Sequence, residues 1–150
     1  MVYASFGKRI IALLIDGLVL SVLTGILGPF FGINSAENMQ AMQAGDFSAM
    51  GGFMASSNIV NILYFALMES SSKQATLGKM AMNMVVTTKD GKRLSIPRAL
   101  LRYLGKLVSA FILCIGFIMA AFTSKKQGLH DLIASTVVIT ENSRDELANY

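Results

Sequence analysis

The chain has 150 residues, 53% of them hydrophobic and only 15% charged, with a mean hydropathy of +0.56. That is more apolar surface than a small soluble domain hides, and it predicts membrane residence. The net charge of +4 does not point to nucleic acid, because the basic residues alternate with apolar segments instead of clustering with aromatics. The single Cys114 permits neither a disulfide nor a cysteine metal site and reads as a small buried hydrophobe.

Ile10 to Gly28 is a 19-residue apolar run with one charge, Asp16, and predicts a first transmembrane helix that Pro29 helps to end. Lys8 and Arg9 precede it as in a signal peptide, but Asp16 interrupts the core and no small-x-small cleavage site follows, so a retained anchor is expected. Phe31 to Asn58 is polar, Gly-rich and Met-rich, an exposed loop with a short interfacial helix. Phe53 to Met68 predicts a second transmembrane helix that stops at Glu69, and a polar connection leads on to Lys79.

Met80 to Ser95 carries β-branched residues before Asp90-Gly91, a β-hairpin signal. Ser95 and Pro97 then open a helix with Arg98, Arg102 and Lys106 on one side and Leu100, Leu101, Leu104 and Val108 opposite, the pattern of an amphipathic helix on a membrane surface. Leu107 to Phe122 is apolar but short, and predicts a third span or a re-entrant hairpin. Ser135 to Thr140 reads as a strand able to pair with Met84 to Thr88, and the tail from Glu141 as disordered. The fold class expected is an all-α integral membrane protein: one membrane domain over 1–140 with a small cytoplasmic β element, then a polar tail over 141–150.

No Lys or Arg lies between Ile10 and Ser72. The positive-inside rule therefore places the N-terminus and the Lys73 to Lys106 region in the cytoplasm and the Met-rich loop outside. A re-entrant or broken third segment would keep the C-terminus cytoplasmic.

Asp16 is the residue that asks for chemistry. A carboxylate at membrane depth costs about 2.5 to 3.5 kcal/mol on insertion scales, so it should face the bundle interior. It reads either as an ion or proton site, or as a structural group paired with Arg102 or Lys106 or hydrogen-bonded to Asn58 or Asn61. Arg9 lies two helical turns before it, too far to bond directly. Gly17, Ser21 and Gly25 form a small-residue row for helix packing, within or between subunits. His130 and Asp131 form no catalytic dyad, and an Asp131 contact to Arg9 is expected instead. Copper binding by Met39, Met42, Met50, Met54, Met80, Met82 and Met84 is possible in principle, but gap-filling explains them more simply. No metal and no cofactor are expected.

Taken together these residues resemble the RDD family of small bacterial membrane proteins, named for one arginine and two aspartates. Arg9, Asp16 and Asp131 stand at the three positions, Asp131 within GLHDLIASTVV, while TLGKMAMNMVV and SIPRALLRYLG resemble two further family segments. Asn83 replaces the family's usual glycine before the strand, and Met82 and Met84 take apolar positions. The resemblance implies a plasma-membrane protein with at least two helices, for which transport of an unidentified solute has been suggested.

Two functions follow as expectations. The first is a homo-oligomeric transporter or exchanger in which Asp16 binds a monovalent cation or proton and Arg9 and Asp131 shape a cytoplasmic gate. The second is a non-transporting scaffold or accessory subunit held together by the same residues. An enzyme acting on lipid would need a nucleophile or metal constellation that the sequence does not display.

Overall fold

A computed structural model describes residues 1–31, 34–111 and 115–148. In chain order the elements are α1 (Phe6–Leu27), a 3-10 turn (Gly28–Phe31), α2 (Ser35–Gln43), α3 (Phe47–Ser70), α4 (Leu77–Ala81), β1 (Met84–Thr88), α5 (Ile96–Phe111), α6 (Ile115–Phe122), α7 (Leu129–Ile133), β2 (Thr136–Thr140) and α8 (Glu141–Ala148). Two compact units result, one of Met1–Asp16 with Phe65–Tyr150 and one of Gly17–Tyr64. Cys114 lies outside the described residues.

In the Gly17–Tyr64 unit, α1 ends where Pro29 enters the 3-10 turn. The stretch expected as a loop is largely helical. Asp46 Oδ1 accepts hydrogen bonds from the Ser48 amide at 3.0 Å and hydroxyl at 2.6 Å, so α3 starts at Phe47 instead of near Phe53. Among the described residues, Phe6–Phe30 is the one segment both long and apolar enough to cross a membrane, with a mean hydropathy of 2.5. Its Leu13, Leu14, Leu18, Val22 and Ile26 are exposed, an outward apolar face suited to lipid. At 24 residues α3 also has the length, but it includes Asn58 and Asn61. Gly17, Ser21 and Gly25 are exposed, and among the described residues a Cβ on either glycine would meet nothing within 4 Å.

The other unit is built on a two-stranded antiparallel sheet, Met84–Thr88 paired with Thr136–Thr140 about a central Val86–Val138 pair. The Asp90-Gly91 turn does form, closed by the Thr88 amide donating to the Lys92 carbonyl at 2.9 Å, but the strand partner is the distant β2. Met84, Val86 and Val138 face one apolar cluster with Ala12, Ala66, Leu94 and Ala99. Val85, Val137 and Ile139 face another with Ala75. Both edges are covered: Val86 exchanges hydrogen bonds with Gln74, and the segment around Tyr3 and Ala4 bonds to β2. Buried Met84 and partly buried Met80 and Met82 fill gaps in these clusters, which accounts for those methionines without copper. The tail does not hang free: it forms α8, where the Glu141 amide donates to the Asn83 carbonyl at 3.0 Å and Ser143 Oγ accepts from the Val2 amide at 2.8 Å.

The same unit contains an internal duplication. Residues 71–88 and 123–140 adopt one pattern twice, 52 positions apart. Left-handed residues recur at Gln74 and Lys126 and at Asn83 and Ser135, α3 and α6 end at Ser70 and Phe122, and a five-residue helix then precedes a five-residue strand. Val86 pairs with its own counterpart, Val138, as a pseudo-two-fold axis through the sheet requires. The preceding helices obey the same symmetry: a Cβ on Gly78 of α4 would collide with the Ala12 carbonyl of α1, and a Cβ on Gly105 of α5 would sit 2.9 Å from His130 Cα of α7. The first repeat is thus α1, α3, α4 and β1, and the second α5, α6, α7 and β2. Asn83 explains itself here: its φ of +53° is the left-handed region, natural for glycine and tolerated by asparagine.

Because Met84 is 1% exposed in the sheet core, Met84→Ala should cost about 2–5 kcal/mol and lower the melting temperature in detergent. Phe30→Ala, at an 84% exposed position, should leave it nearly unchanged.

Candidate functional site

α5 turns Arg102 inward and Lys106 partly so, while Arg98 at its N-terminal end is exposed. Leu100, Leu101, Leu104 and Val108 are exposed, while Arg102 is 1% exposed. The helix is amphipathic, with its apolar face outward and the Arg102 guanidinium buried instead of facing water. Only partners could stabilise it there. Arg102 Nη1 donates to Glu69 Oε2 at 2.5 Å, and Nε and Nη2 both donate to Asp131 Oδ1, at 2.9 and 2.6 Å. One planar group thereby bridges a carboxylate of the first repeat and one of the second, a task its fixed fork of donors suits.

Two chains of contacts extend from this bridge. Asp131 Oδ2 accepts from Arg9 Nη1 at 2.6 Å and from the Gly128 amide at 3.2 Å, which caps α7 and ties α1 to it. Glu69 Oε1 accepts from Lys79 Nζ at 2.5 Å, with Lys106 Nζ at 3.4 Å. Lys106 also lies 3.5 Å from the centre of the Phe65 ring, a cation–π contact. His130 Nε2 stands 3.5 Å from Asp131 Oδ1.

Asp16 is held mainly from the start of α4 and acts on the Lys79 ammonium beside it. Its Oδ2 accepts from the Thr76 hydroxyl at 2.6 Å and its Oδ1 from the Gly78 amide at 2.8 Å, at the start of α4. Of the cations considered from sequence, Arg102 is held by Glu69 and Asp131 and Lys106 by Glu69 and Phe65, while Asn58 donates to the Met54 carbonyl at 2.7 Å on its own helix. Asn61 follows one turn later in the Gly17–Tyr64 unit. Thr76, Gly78, Lys79 and Glu69 belong to the site but carry no motif that marks them in sequence. The signals available were a lone carboxylate ending an apolar helix and a glycine in TLGK where only glycine permits contact with Ala12.

Burial shifts the titrations outside the spanning helices. It pushes the Lys79 ammonium down, and Glu69 opposes that. Burial alone would raise Asp131, but Arg102 and Arg9 hold its carboxyl well below the ordinary range. His130 is pushed down to about 3 by burial, so its ring is neutral at pH 7. Among the described residues no group of three His, Cys, Asp or Glu side chains could hold a metal ion.

A long apolar helix with an outward apolar face, joined to a unit with a buried network of arginine, lysine and carboxylate side chains, is the arrangement expected of a small membrane protein. The RDD family profile matches residues 3–135, and the chain belongs to that family. It is similar to two proteins of Bacillus subtilis (strain 168). The uncharacterized protein YxaI is 32% identical over 148 residues, covering 91% of this chain and 96% of YxaI. The uncharacterized membrane protein YteJ is 36% identical over 143 residues, covering 93% of this chain and 82% of YteJ. No solved structure matches the chain.

Arg102→Ala would leave Glu69 and Asp131 without their bridge and should destabilise by about 3–5 kcal/mol. Arg102→Lys should recover only a minor part in thermal melts, because an ammonium cannot reproduce the fork. His130 gives a pH signature. Between its ordinary value of 6.5 and about 3 the unfolded chain binds a proton that the folded chain does not, so stability is full above 6.5 and falls as pH drops through that window. In His130→Gln the melting temperature should fall less between pH 7 and pH 4 than in the wild type.

Proposed function

We propose that this protein is a small-solute or ion carrier of the bacterial plasma membrane, of cation- or proton-exchange type. The observation that carries the reading is the buried charge network at the junction of two structural repeats. Transporter folds are commonly built from repeats with their sites at the repeat interface, and ionisable groups at membrane depth are rarely kept without a task. Duplication adds weight to a paired arrangement of α5 and α6, since they stand to α7 and β2 as α1 and α3 stand to α4 and β1. On this reading the chain is multi-pass, with its N-terminus, β element and C-terminus cytoplasmic, as the cation distribution asks. Homo-oligomerisation belongs to the proposal, and the exposed Gly17, Ser21 and Gly25 row offers a face for it.

Asp16 would act through α4. Protonating its carboxylate, or drawing a cation to it, weakens its hold on the Thr76 hydroxyl and Gly78 amide. The helix released carries Lys79, the partner of Glu69. Arg9 and Asp131 would then close the same junction from the second repeat.

A second, non-enzymatic scaffold reading is favoured by a specific fact: the carboxylates of Asp16, Glu69 and Asp131 all accept hydrogen bonds from within the chain. Proteoliposome flux with wild type and Asp16→Asn separates the two. Transport predicts cation or proton movement by the wild type and its loss in a folded Asp16→Asn protein. No movement by the wild type, or equal movement by the variant, would support the scaffold. Cysteines placed at Ser124 and beyond Glu141 should label only from the cytoplasmic side.

A further inference from the structure

The two repeats treat their equivalent arginines differently. The helix crossings match Ala12 on Gly78 with Gly105 on His130, so Arg9, three residues before Ala12, corresponds to Arg102, three residues before Gly105. The Nε and Nη2 edge of Arg102 is filled by Asp131 Oδ1. The same edge of Arg9 is buried, and neither nitrogen has a hydrogen-bond partner among the described residues. Arg9 keeps only its Nη1 contact to Asp131. Repeat equivalence explains why: the position that Asp131 holds in the second repeat, 52 residues earlier, is Lys79, and the counterpart of Glu69 is Ala121. At the two positions where the second repeat's arginine finds carboxylates, the equivalent residues are a lysine and an alanine.

Charge points the same way. Four basic side chains, Arg9, Lys79, Arg102 and Lys106, gather on the two carboxylates of Glu69 and Asp131. The third carboxylate, Asp16, is held by Thr76 and Gly78 and acts on Lys79, not on Arg9. Buried donors call for acceptors, and buried charge calls for its opposite. The Nε and Nη2 edge is the fork that fits two oxygens of one oxyanion. The Arg9 side chain is 12% exposed, so that edge lies just under the surface at the N-terminal end of α1.

We propose that the free edge of Arg9 holds the phosphate oxyanion of a ligand, which takes the place that the Asp131 carboxylate takes on Arg102. Lys79, Arg102 and Lys106 supply the favourable field. Inorganic phosphate and the headgroup of an anionic phospholipid share this chemistry. The site is independent of cation or proton movement at Asp16, and it is tested by binding alone.

The test uses the full-length protein, delipidated in neutral detergent, and follows melting temperature at constant ionic strength with inorganic phosphate replacing chloride. A parallel series adds phosphatidylglycerol or, as control, phosphatidylcholine. Binding to the folded state raises the melting temperature with ligand concentration. A rise with phosphate identifies a soluble oxyanion as sufficient; a rise with phosphatidylglycerol but not with phosphate identifies the lipid headgroup. Arg9→Lys keeps the charge and loses the fork, so binding should weaken about tenfold or more, the equivalent of one charge-assisted hydrogen bond. Lys79→Gln leaves Arg9 intact and should weaken binding by lowering the positive field, while Lys92→Gln, at an exposed position, should bind as the wild type does. No rise with either ligand over its control in the wild type would overturn the proposal, as would an Arg9→Lys protein that binds as tightly as the wild type.

Discussion

The contact on which the rest of this molecule depends is the Arg102 guanidinium, buried between Glu69 and Asp131. A guanidinium has no neutral form at accessible pH, so once α5 turns it inward the surroundings must supply acceptors. Glu69 ends α3 of the first repeat and Asp131 lies in α7 of the second, so the requirement of one side chain becomes a link between the two halves. Lys79, Lys106 and Arg9 then gather on the same carboxylates, and the packing of α4, α5 and α7 follows from where those charges must go.

Symmetry and its breaking explain the rest. The β element is a pseudo-two-fold pair in which each strand is preceded by a short helix and a left-handed residue. The glycine contacts at Gly78 and Gly105 let each short helix approach its long one closely. Upon that common frame the repeats carry opposite charges at one position, Lys79 and Asp131, and different caps, Asp16 for α4 and Gly128 with Asp131 for α7. The asymmetry puts a lysine where the second repeat has a carboxylate and accompanies an Nε and Nη2 edge of Arg9 without a partner among the described residues, and it is the chemical content of a fold that is otherwise doubled.

Much of this was legible in the sequence, for identifiable reasons. The apolar run of α1 and the two β-branched strands are local signals, readable from composition and period, whereas Arg9, Asp16 and Asp131 stand out as a set through the family resemblance. What was not legible depended on three-dimensional neighbours. The inward cations of α5 look the same in sequence as cations facing water, because periodicity reports that a helix has two faces and not which one is covered. Asp16 could be assigned a need for partners but not Thr76 and Gly78, sixty and sixty-two residues away. Glu69 read as the end of an apolar segment. The duplication is hidden in sequence because few side chains repeat, whereas the backbone positions that need left-handed φ repeat faithfully. Polarity alone predicts a disordered tail, although α8 is held by the Asn83 carbonyl and by Ser143 Oγ on the Val2 amide.

A double-mutant cycle on Glu69 and Arg102 tests most directly whether the charge bridge joins the repeats. Stability would be measured for wild type, Glu69→Gln, Arg102→Gln and the double variant in the same detergent. Coupling of about 1–3 kcal/mol is predicted, the range for contacting residues in one network. Strictly additive losses would contradict the account, because the two side chains would then contribute independently and the bridge would not hold the halves together.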